Sequence, residues 1–80
     1  MFYTYVLKST RFLKYYTGHT NDLERRLNEH NSGKSLYSSR YRPWINVYYE
    51  KFDTEQEAVI REKYFKSAAG RRWLKKNVNK

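Results

Sequence analysis

Arg26 and His30 are a pair of side chains whose type and spacing could act on a phosphate group. In a helix, residues four apart are stacked neighbours, and on a helical wheel both fall within about 60° of Leu23, beside an apolar stripe. An arginine guanidinium can donate two parallel hydrogen bonds to a phosphate, and a histidine can move a proton near neutral pH. The spacing therefore favours a site in which Arg26 holds an anion and His30 transfers a proton.

Structural roles for the same two side chains stay open. The Arg26 guanidinium could pair with a carboxylate of the chain instead of a ligand. The three candidates are Glu24, Glu29 and Glu62. His30 could be a packed side chain that is hydrogen-bonded to a backbone carbonyl.

A third candidate, Glu62, lies on what reads as the buried face of a helix. Ala58, Glu62, Phe65 and Ala69 fall within about 60° of one another on a helical wheel. A carboxylate there is costly unless it is paired or binds a metal. The alternative is a glutamate at the edge of this face, salt-bridged to one of the many arginines.

Tyrosine is unusually frequent, with nine in 80 residues. Most are expected to be core or edge residues that keep the hydroxyl in water, but Tyr5 and Tyr16 stand out near the middle or end of predicted hairpin strands. Several other kinds of site are excluded. The chain has no cysteine and no Gly-rich phosphate loop, His19 and His30 lack the pattern of a metal-binding pair, and no Ser-His-Asp arrangement is indicated.

The charge of the chain predicts a polyanionic partner. Lys and Arg number 17 against 8 Asp and Glu, a formal charge of +9, and the ranges 30–49 and 63–80 both carry bases without acids. Nucleic acid is the first expectation, ahead of an anionic membrane or an acidic protein, and the alternative is a basic surface without a specific partner. The expected backbone-phosphate contacts are Lys34, Arg40, Arg42, Arg71, Arg72, Lys75 and Lys76.

No apolar run approaches the ~20 residues of a membrane span, and no charged-then-apolar leader is visible. We therefore expect a cytoplasmic protein, which in a bacterium could associate with the nucleoid, with no membrane partner. A length of 80 residues fits one domain.

Three strands are predicted to position these side chains. Residues 2–8 alternate two apolar faces and read as a strand that is buried on both sides. Residues 12–18 read as its hairpin partner, ended by Gly18, and residues 44–52 form a third strand after Pro43.

Helices are predicted between and after these strands. In the first, Asn21 is the expected N-cap with Glu24 as its capping-box partner, and residues 31–33 are a stop signal. Residues 33–42 read as a polar, basic loop.

Thr54 and Glu57 form a second capping box, which opens a helix that runs to about Ala69 and is broken by Gly70. Residues 71–77 read as a short basic helix. The order β-β-α-β-α-α predicts an α/β chain, of the α+β kind, with a three-stranded sheet and helices packed on it.

These residues resemble the GIY-YIG nuclease domain, and more closely its small stand-alone bacterial branch, the UPF0213 group. Tyr3-Thr4-Tyr5 stands in the GIY position and Tyr16-Thr17-Gly18 in the YIG position. The runs 20–27 and 30–33, Pro43 with Val47-Tyr48, and Glu57-Ala58 with Arg61-Glu62 and Lys66 complete the match. The resemblance covers roughly residues 2–68, so residues 1–80 are expected to form a single GIY-YIG domain with a basic helix or tail at about 70–80.

The resemblance implies an antiparallel sheet flanked by helices and a shared site on one sheet face. Tyr5, Tyr16, Arg26 and His30 would be catalytic, and Glu62 would hold one Mg²⁺ or Mn²⁺. The chain departs from the family pattern where Tyr3 replaces glycine and Thr4 and Thr17 replace aliphatic residues. The loop 34–42 also lacks the second catalytic histidine that some members carry.

The hypothesis is therefore a metal-dependent DNA endonuclease that hydrolyses phosphodiester bonds, in DNA repair or the processing of branched DNA. RNA is not excluded as the substrate, and Tyr5, Tyr16 and His30 stay equal candidates for the base. A non-catalytic nucleic-acid-binding module on the same scaffold is the alternative, and a regulatory partner of a larger repair complex is a third. The sequence does not indicate an oligomeric state.

Overall fold

The computed structural model describes residues 1–34 and 36–79, with 36 and 37 described by their backbone alone. Its strands are β1 (Phe2–Ser9), β2 (Tyr15–Thr20) and β3 (Trp44–Phe52). Its helices are α1 (Leu23–Asn31), α2 (Leu36–Arg40), α3 (Glu55–Lys66) and α4 (Ala68–Asn77). The strands form an antiparallel sheet in the order β2-β1-β3, which confirms the predicted fold class and order, with α2 as an addition.

Strand β1 lies at the centre of the sheet and is buried on both faces, as its alternating pattern predicts. Tyr5 and Leu7 pack with Trp44 and with the apolar side chains of α1. Val6 packs instead with Phe65 of α3 and with residues of α4. The helices therefore cover the two faces of one sheet, and consecutive residues of β1 belong to different cores.

The second strand begins later and ends later than predicted. Phe12 and Leu13 are exposed, at 47% and 90%, because the chain turns away from the sheet after β1. The Ser9 hydroxyl oxygen accepts hydrogen bonds from the backbone N–H groups of Arg11 and Phe12, which stabilises this turn. Gly18 does not end β2 but pairs with Tyr5 inside the ladder.

Helix α1 is capped by Asp22 and not by Asn21. The Asp22 side chain accepts from the backbone N–H of Arg25, and Glu24 does not act as a capping-box partner. The helix ends at Asn31, where the stop was predicted, and the Asn31 side chain bonds both the backbone N–H and the carbonyl of Trp44. These two bonds fix the end of α1 against the start of β3.

The predicted break at Gly70 is wrong, because the helix that begins at the confirmed Thr54–Glu57 capping box already ends at Lys66. Ser67 caps α4 by accepting from the backbone N–H of Gly70, which lies inside that helix. A Cβ on Gly70 would stand 1.8 Å from the carbonyl oxygen of Tyr64, so glycine permits the close approach of α4 to α3. Ala69, placed on the buried face by the wheel, is exposed in α4.

The loop predicted for 33–42 contains the short helix α2, which its polar composition did not indicate. The predicted basic tail reaches Lys80, which lies outside the described residues, as does Ser35 of that loop. Among the described helices, none is long and apolar enough to cross a membrane.

Candidate active site

Tyr5, Arg26 and His30 meet on the α1 face of the sheet and form one hydrogen-bonded chain. The Arg26 Nε–H donates to the Tyr5 hydroxyl at 3.3 Å, and that hydroxyl lies 3.1 Å from Nε2 of His30. Tyr5 comes from the middle of β1, whereas Arg26 and His30 come from successive turns of α1. As the helical spacing predicts, Arg26 and His30 both point from α1 towards the sheet.

What each group can donate fixes one of the two bonds in this chain. Arginine has no acceptor, so the Tyr5 oxygen accepts from Arg26, whereas the direction of the Tyr5–His30 bond depends on which imidazole nitrogen carries the proton. Nδ1 of His30 is buried and has no hydrogen-bond partner among the described residues. Burial, together with the nearby Arg26 charge, lowers the pKa of His30 to about 4, so the ring is neutral at pH 7.

Burial raises the pKa of the Tyr5 hydroxyl to about 12, although Arg26 acts in the opposite direction. The Glu62 carboxylate is one of the charges that add to this rise, so Glu62 is within electrostatic range of Tyr5. Burial would lower the pKa of Arg26, but its hydrogen bonds with Glu29 and Tyr5 raise the pKa above the usual arginine value. Tyr5 is therefore a phenol and Arg26 a cation at neutral pH.

Tyr16 completes the cluster from β2. Its ring lies 4.5 Å from that of His30 and 6.4 Å from that of Tyr5, measured between centroids. Gly18, two residues on, makes room for this arrangement, because a Cβ there would stand 2.5 Å from the Tyr5 hydroxyl and 3.2 Å from the Tyr16 ring. A larger residue at position 18 would clash with Tyr5, which explains the glycine at the end of the second tripeptide.

Glu62 approaches from the opposite, α3 face of the sheet, so the expectation of a site on one sheet face does not hold for this residue. Its side chain is 18% exposed, and its Oε1 lies 2.6 Å from Nδ1 of His19. Its Oε2 lies 2.6 Å from Nζ of Lys66, one helical turn away. Burial alone would raise the pKa of the Glu62 carboxyl, but the contacts with Lys66 and His19 hold it below the ordinary value. The expected arginine partner is replaced by a lysine and a histidine.

His19 links the two sides of the site, because it lines the same cavity as Arg26. This cavity has a volume of about 300 Å³, and its lining also includes Arg25, Glu29 and Glu55. A smaller cavity of about 250 Å³ is lined by Arg26, Glu29, His30 and Lys34. In the lining of the larger cavity, Arg26 is hydrogen-bonded to Tyr5 and His19 to Glu62. Tyr5 and Glu62 themselves do not line this cavity.

The residues around Glu62 fit a single hydrated divalent cation. Within residues 1–34 and 36–79, no three His, Cys, Asp or Glu side chains form a group that could hold a metal. Mg²⁺, however, keeps several waters and commonly uses one or two protein carboxylates. Glu62 offers such an oxygen, since the Lys66 side chain on Oε2 is 53% exposed and can move away on its flexible stem.

The predicted phosphate-binding residues fall into two groups. All of them are exposed. Lys34 lines the smaller cavity beside Arg26, and Arg71 lines a groove that also includes Tyr16. The remaining predicted contacts are absent from the linings of these openings: Arg40, Arg42, Arg72, Lys75 and Lys76.

Sequence reasoning missed the role of His19 and left the partner of Arg26 open. Arg26 pairs with Glu29, at 2.9 Å from its terminal nitrogen, and His30 bonds Tyr5 and not a backbone carbonyl. The alternation along β2 puts His19 on the face opposite Tyr16 and Gly18, and Lys66 follows Glu62 at helical spacing. The signals existed, but only the strand register brings His19 and Glu62 together across 43 positions of sequence.

Comparison with known proteins agrees with this geometry. A family model described as the GIY-YIG catalytic domain matches residues 1–77. The chain belongs to the GIY-YIG family. UPF0213 proteins of Streptococcus pyogenes serotypes M5 and M1 are 48% identical over 52 residues, which is 64% of this GIY-YIG chain and 56% of each relative. The match thus spans just over half the length of these curated relatives.

A solved structure carries the same fold. The UPF0213 protein of Bacillus halodurans, determined by NMR in solution, is 33% identical and superposes with a TM-score of 0.53 over 92% of this chain and 82% of that one. This GIY-YIG chain is therefore a member of the UPF0213 group. Because the GIY-YIG domain is a nuclease domain, the family implies a nucleic-acid substrate.

Proposed function

We propose that this GIY-YIG chain hydrolyses phosphodiester bonds in DNA with the help of one divalent cation. The observation that carries the proposal is the cavity lined by both Arg26 and His19. Arg26 is hydrogen-bonded to Tyr5 and His19 to Glu62, so a phosphate in this cavity would meet the guanidinium directly, and the predicted proton relay and carboxylate would each lie one side chain away.

Arg26 would hold the phosphate and stabilise the charge that develops on its oxygens. A guanidinium has five N–H donors, and here Nε serves Tyr5 while one terminal nitrogen serves Glu29. Glu29 belongs to the same helix and is an exchangeable partner, so a phosphate can replace it. Arg26 can thus bind substrate without releasing Tyr5.

Tyr5 and His30 would take the proton of the attacking water as a pair. In the tautomer with the proton on Nδ1, the Tyr5 O–H would donate to Nε2 of His30, 3.1 Å away, and that imidazole is neutral at pH 7 because burial lowers its pKa to about 4. As the water gives its proton to the Tyr5 oxygen, Tyr5 gives its own to Nε2. This relay would avoid a free phenolate, since the phenol has a pKa of about 12, but its acceptor is a weak base of pKa about 4, so His30 would have to pass the proton on to solvent.

Glu62 would hold one Mg²⁺ or Mn²⁺, and such an ion supplies charge neutralisation at the scissile phosphate and the leaving oxygen when it is bound. His19 fixes the orientation of the carboxylate through Oε1. Lys66, which contacts Oε2 in the structure, would give up this oxygen to the ion. The exposed bases at Lys34 and Arg71 would grip neighbouring backbone phosphates.

A nicking assay tests this function. We expect the purified protein to cut branched or linear DNA with Mg²⁺ and not with a chelator. Glu62→Gln and Tyr5→Phe should each lose at least about a hundredfold in rate, while Glu24→Gln, at an exposed position of α1, keeps the wild-type rate. Cleavage that persists unchanged in Glu62→Gln would refute the proposal.

A non-catalytic nucleic-acid-binding module is the second candidate. It is favoured by one observation, namely that both oxygens of Glu62 are already engaged, by His19 and Lys66. In that case the wild type and Glu62→Gln would bind DNA equally, no metal would bind, and neither protein would cut. Mn²⁺ broadening of the NMR signals of Glu62 and His19 separates the two candidates without an activity assay.

A further inference from the structure

A basic groove follows the outer edge of β2 and adjoins the candidate active site. Its volume is about 510 Å³. The lining residues come from β2, α3 and the C-terminal part of the chain: Tyr15, Tyr16, Thr17, Phe65, Lys66, Arg71, Leu74 and Asn79. Because Tyr15 and Tyr16 point to opposite faces of β2, the groove runs along the edge of the sheet.

We propose that this groove holds a single-stranded segment of nucleic acid that leads into the active site. The inference deepens and rests on the proposed function, because it names the form of the substrate. The segment would lie along β2 with a phosphate on Arg71 and, once the metal takes Glu62, another on Lys66. A base would stack on the exposed part of the Tyr15 ring.

The charge of the groove selects a polyanion over a peptide. Its lining holds two cations, Lys66 and Arg71, and no carboxylate. Within the part of the chain that the structure describes, the Arg71 guanidinium has no ion-pair partner. A cationic groove with aromatic side chains is the combination that binds single strands, since bases stack on rings while phosphates follow the charge.

The size of the groove suits a short unpaired segment. Its volume of about 510 Å³ is typical of a pocket for a small organic ligand, so a base with its phosphate fits inside it. Strand β2 is an edge strand of the sheet, and the outer edge of such a strand presents backbone N–H and C=O groups to a ligand.

Two contacts join the groove to the site. The Tyr16 ring is 4.5 Å from the His30 ring, between centroids, and the Lys66 ammonium is 2.6 Å from Oε2 of Glu62. A strand in the groove therefore ends where the metal and the proton relay would act.

Arg71 and Arg72 provide a matched test, because they are adjacent, exposed and equal in charge, and only Arg71 lines the groove. Binding of a fluorescein-labelled oligothymidylate and of a blunt duplex is measured by anisotropy in a chelating buffer, with thermal melting as the control for folding. We expect Arg71→Gln to weaken single-strand binding about tenfold and to reduce the slope of log K against log salt by about 0.7. Arg72→Gln should have a much smaller effect, and duplex binding should respond equally to both substitutions.

Equal effects of Arg71→Gln and Arg72→Gln on oligothymidylate binding would overturn the proposal that the groove binds a single strand, even if the wild type cuts DNA. A loss specific to Arg71→Gln in a protein that does not cut would instead support the groove and refute the proposed hydrolysis. A wild type that binds neither oligonucleotide would overturn both. A groove that takes a peptide strand predicts no difference between Arg71→Gln and wild type, which also counts against the inference.

Discussion

Two arginines on the two faces of the sheet illustrate how differently the same side chain can be held. On the α3 face, Arg61 donates to both oxygens of Glu50, at 2.8 and 3.1 Å. Its guanidinium also lies within about 5 Å of three ring centroids, those of Tyr64, Phe65 and Trp73, at 4.8, 4.6 and 5.2 Å. On the α1 face, Arg26 has one donor on Glu29 and one on Tyr5, the latter at 3.3 Å.

The origin of the partners explains the difference. Glu50 belongs to β3, so the Arg61 pair ties a helix to a strand, and the rings of α3 and α4 enclose it. Glu29 lies one turn from Arg26 in the same helix, so their pair joins no two elements. Arg61 therefore stabilises the fold, whereas Arg26 is available to a ligand.

The largest effect is expected when Arg26 is replaced by alanine, and a comparison with Arg61→Ala should separate the two roles. We expect Arg26→Ala to lower the rate of DNA cleavage by about 10²–10³, the usual loss when one donor to a developing anion is removed. Its free energy of unfolding should change by only about 1 kcal/mol, because the lost ion pair is partly exposed and lies within one helix. Rates under single-turnover conditions and urea unfolding measure the two quantities, with Arg25→Ala as the control for charge on α1.

Arg61→Ala should give the reverse result. Loss of the paired hydrogen bonds and of the ring contacts should lower the free energy of unfolding by about 2 kcal/mol, a figure reduced for the partial exposure of the pair. Where the variant is folded, its cleavage rate should match wild type. A stable Arg61→Ala protein that fails to cut would contradict the division of roles.

Because of His30, the free energy of unfolding should depend on pH between about 4 and 6.5. Most of this range lies above the pH at which carboxylates titrate. His30 has a pKa of about 4 when folded and about 6.5 when unfolded, so the unfolded chain binds the extra proton. Stability is therefore fully present above pH 6.5 and is lost as the pH falls from there towards 4, by about 3 kcal/mol in all. Urea midpoints between pH 6.5 and 5 should fall for the wild type and for His19→Gln, but stay level for His30→Gln.

The smallest effect on the free energy of unfolding is expected at Tyr48, whose side chain contacts the Glu50 carboxylate. Burial, aided by that carboxylate, raises the pKa of Tyr48 to about 12, and its hydroxyl donates to Glu50. Tyr48→Phe removes this one bond and should cost about 1 kcal/mol in the free energy of unfolding. Tyr49→Phe, on an exposed ring of the same strand, should cost nothing measurable by urea unfolding, and an equal loss in both would show that the bond contributes little.

The sequence predicted the elements whose signals are local. The Thr54–Glu57 capping box and the alternating faces of β1 are set by neighbouring residues, and both are confirmed. Phe12 and Gly70 misled the interpretation because their environment is tertiary. The turn after β1 leaves Phe12 in solvent, and the contact of Gly70 with the Tyr64 carbonyl requires glycine inside a helix.

The same distinction applies to the candidate site. Helical spacing predicts that Arg26 and His30 are neighbours on one side of α1. The apolar stripe beside them predicts that both side chains approach the sheet, where they contact Tyr5. The contact between His19 and Glu62 depends on the register between β1 and β2 and on how α3 crosses the sheet. Neither of these can be derived from a single sequence. The catalytic roles of the five residues stay predictions: Tyr5, Tyr16, Arg26, His30 and Glu62.

The alternation of β1 between two cores has a consequence for how this protein can vary. Thr4 donates its hydroxyl to the carbonyl of Ala58, and its neighbour Tyr5 serves Arg26 and His30. An insertion or deletion of one residue in this strand would move every residue on one side of the change to the opposite face. Such a change would place a phenol under α3 and a threonine under α1, so natural length variants are expected in the turns at either end and not within β1.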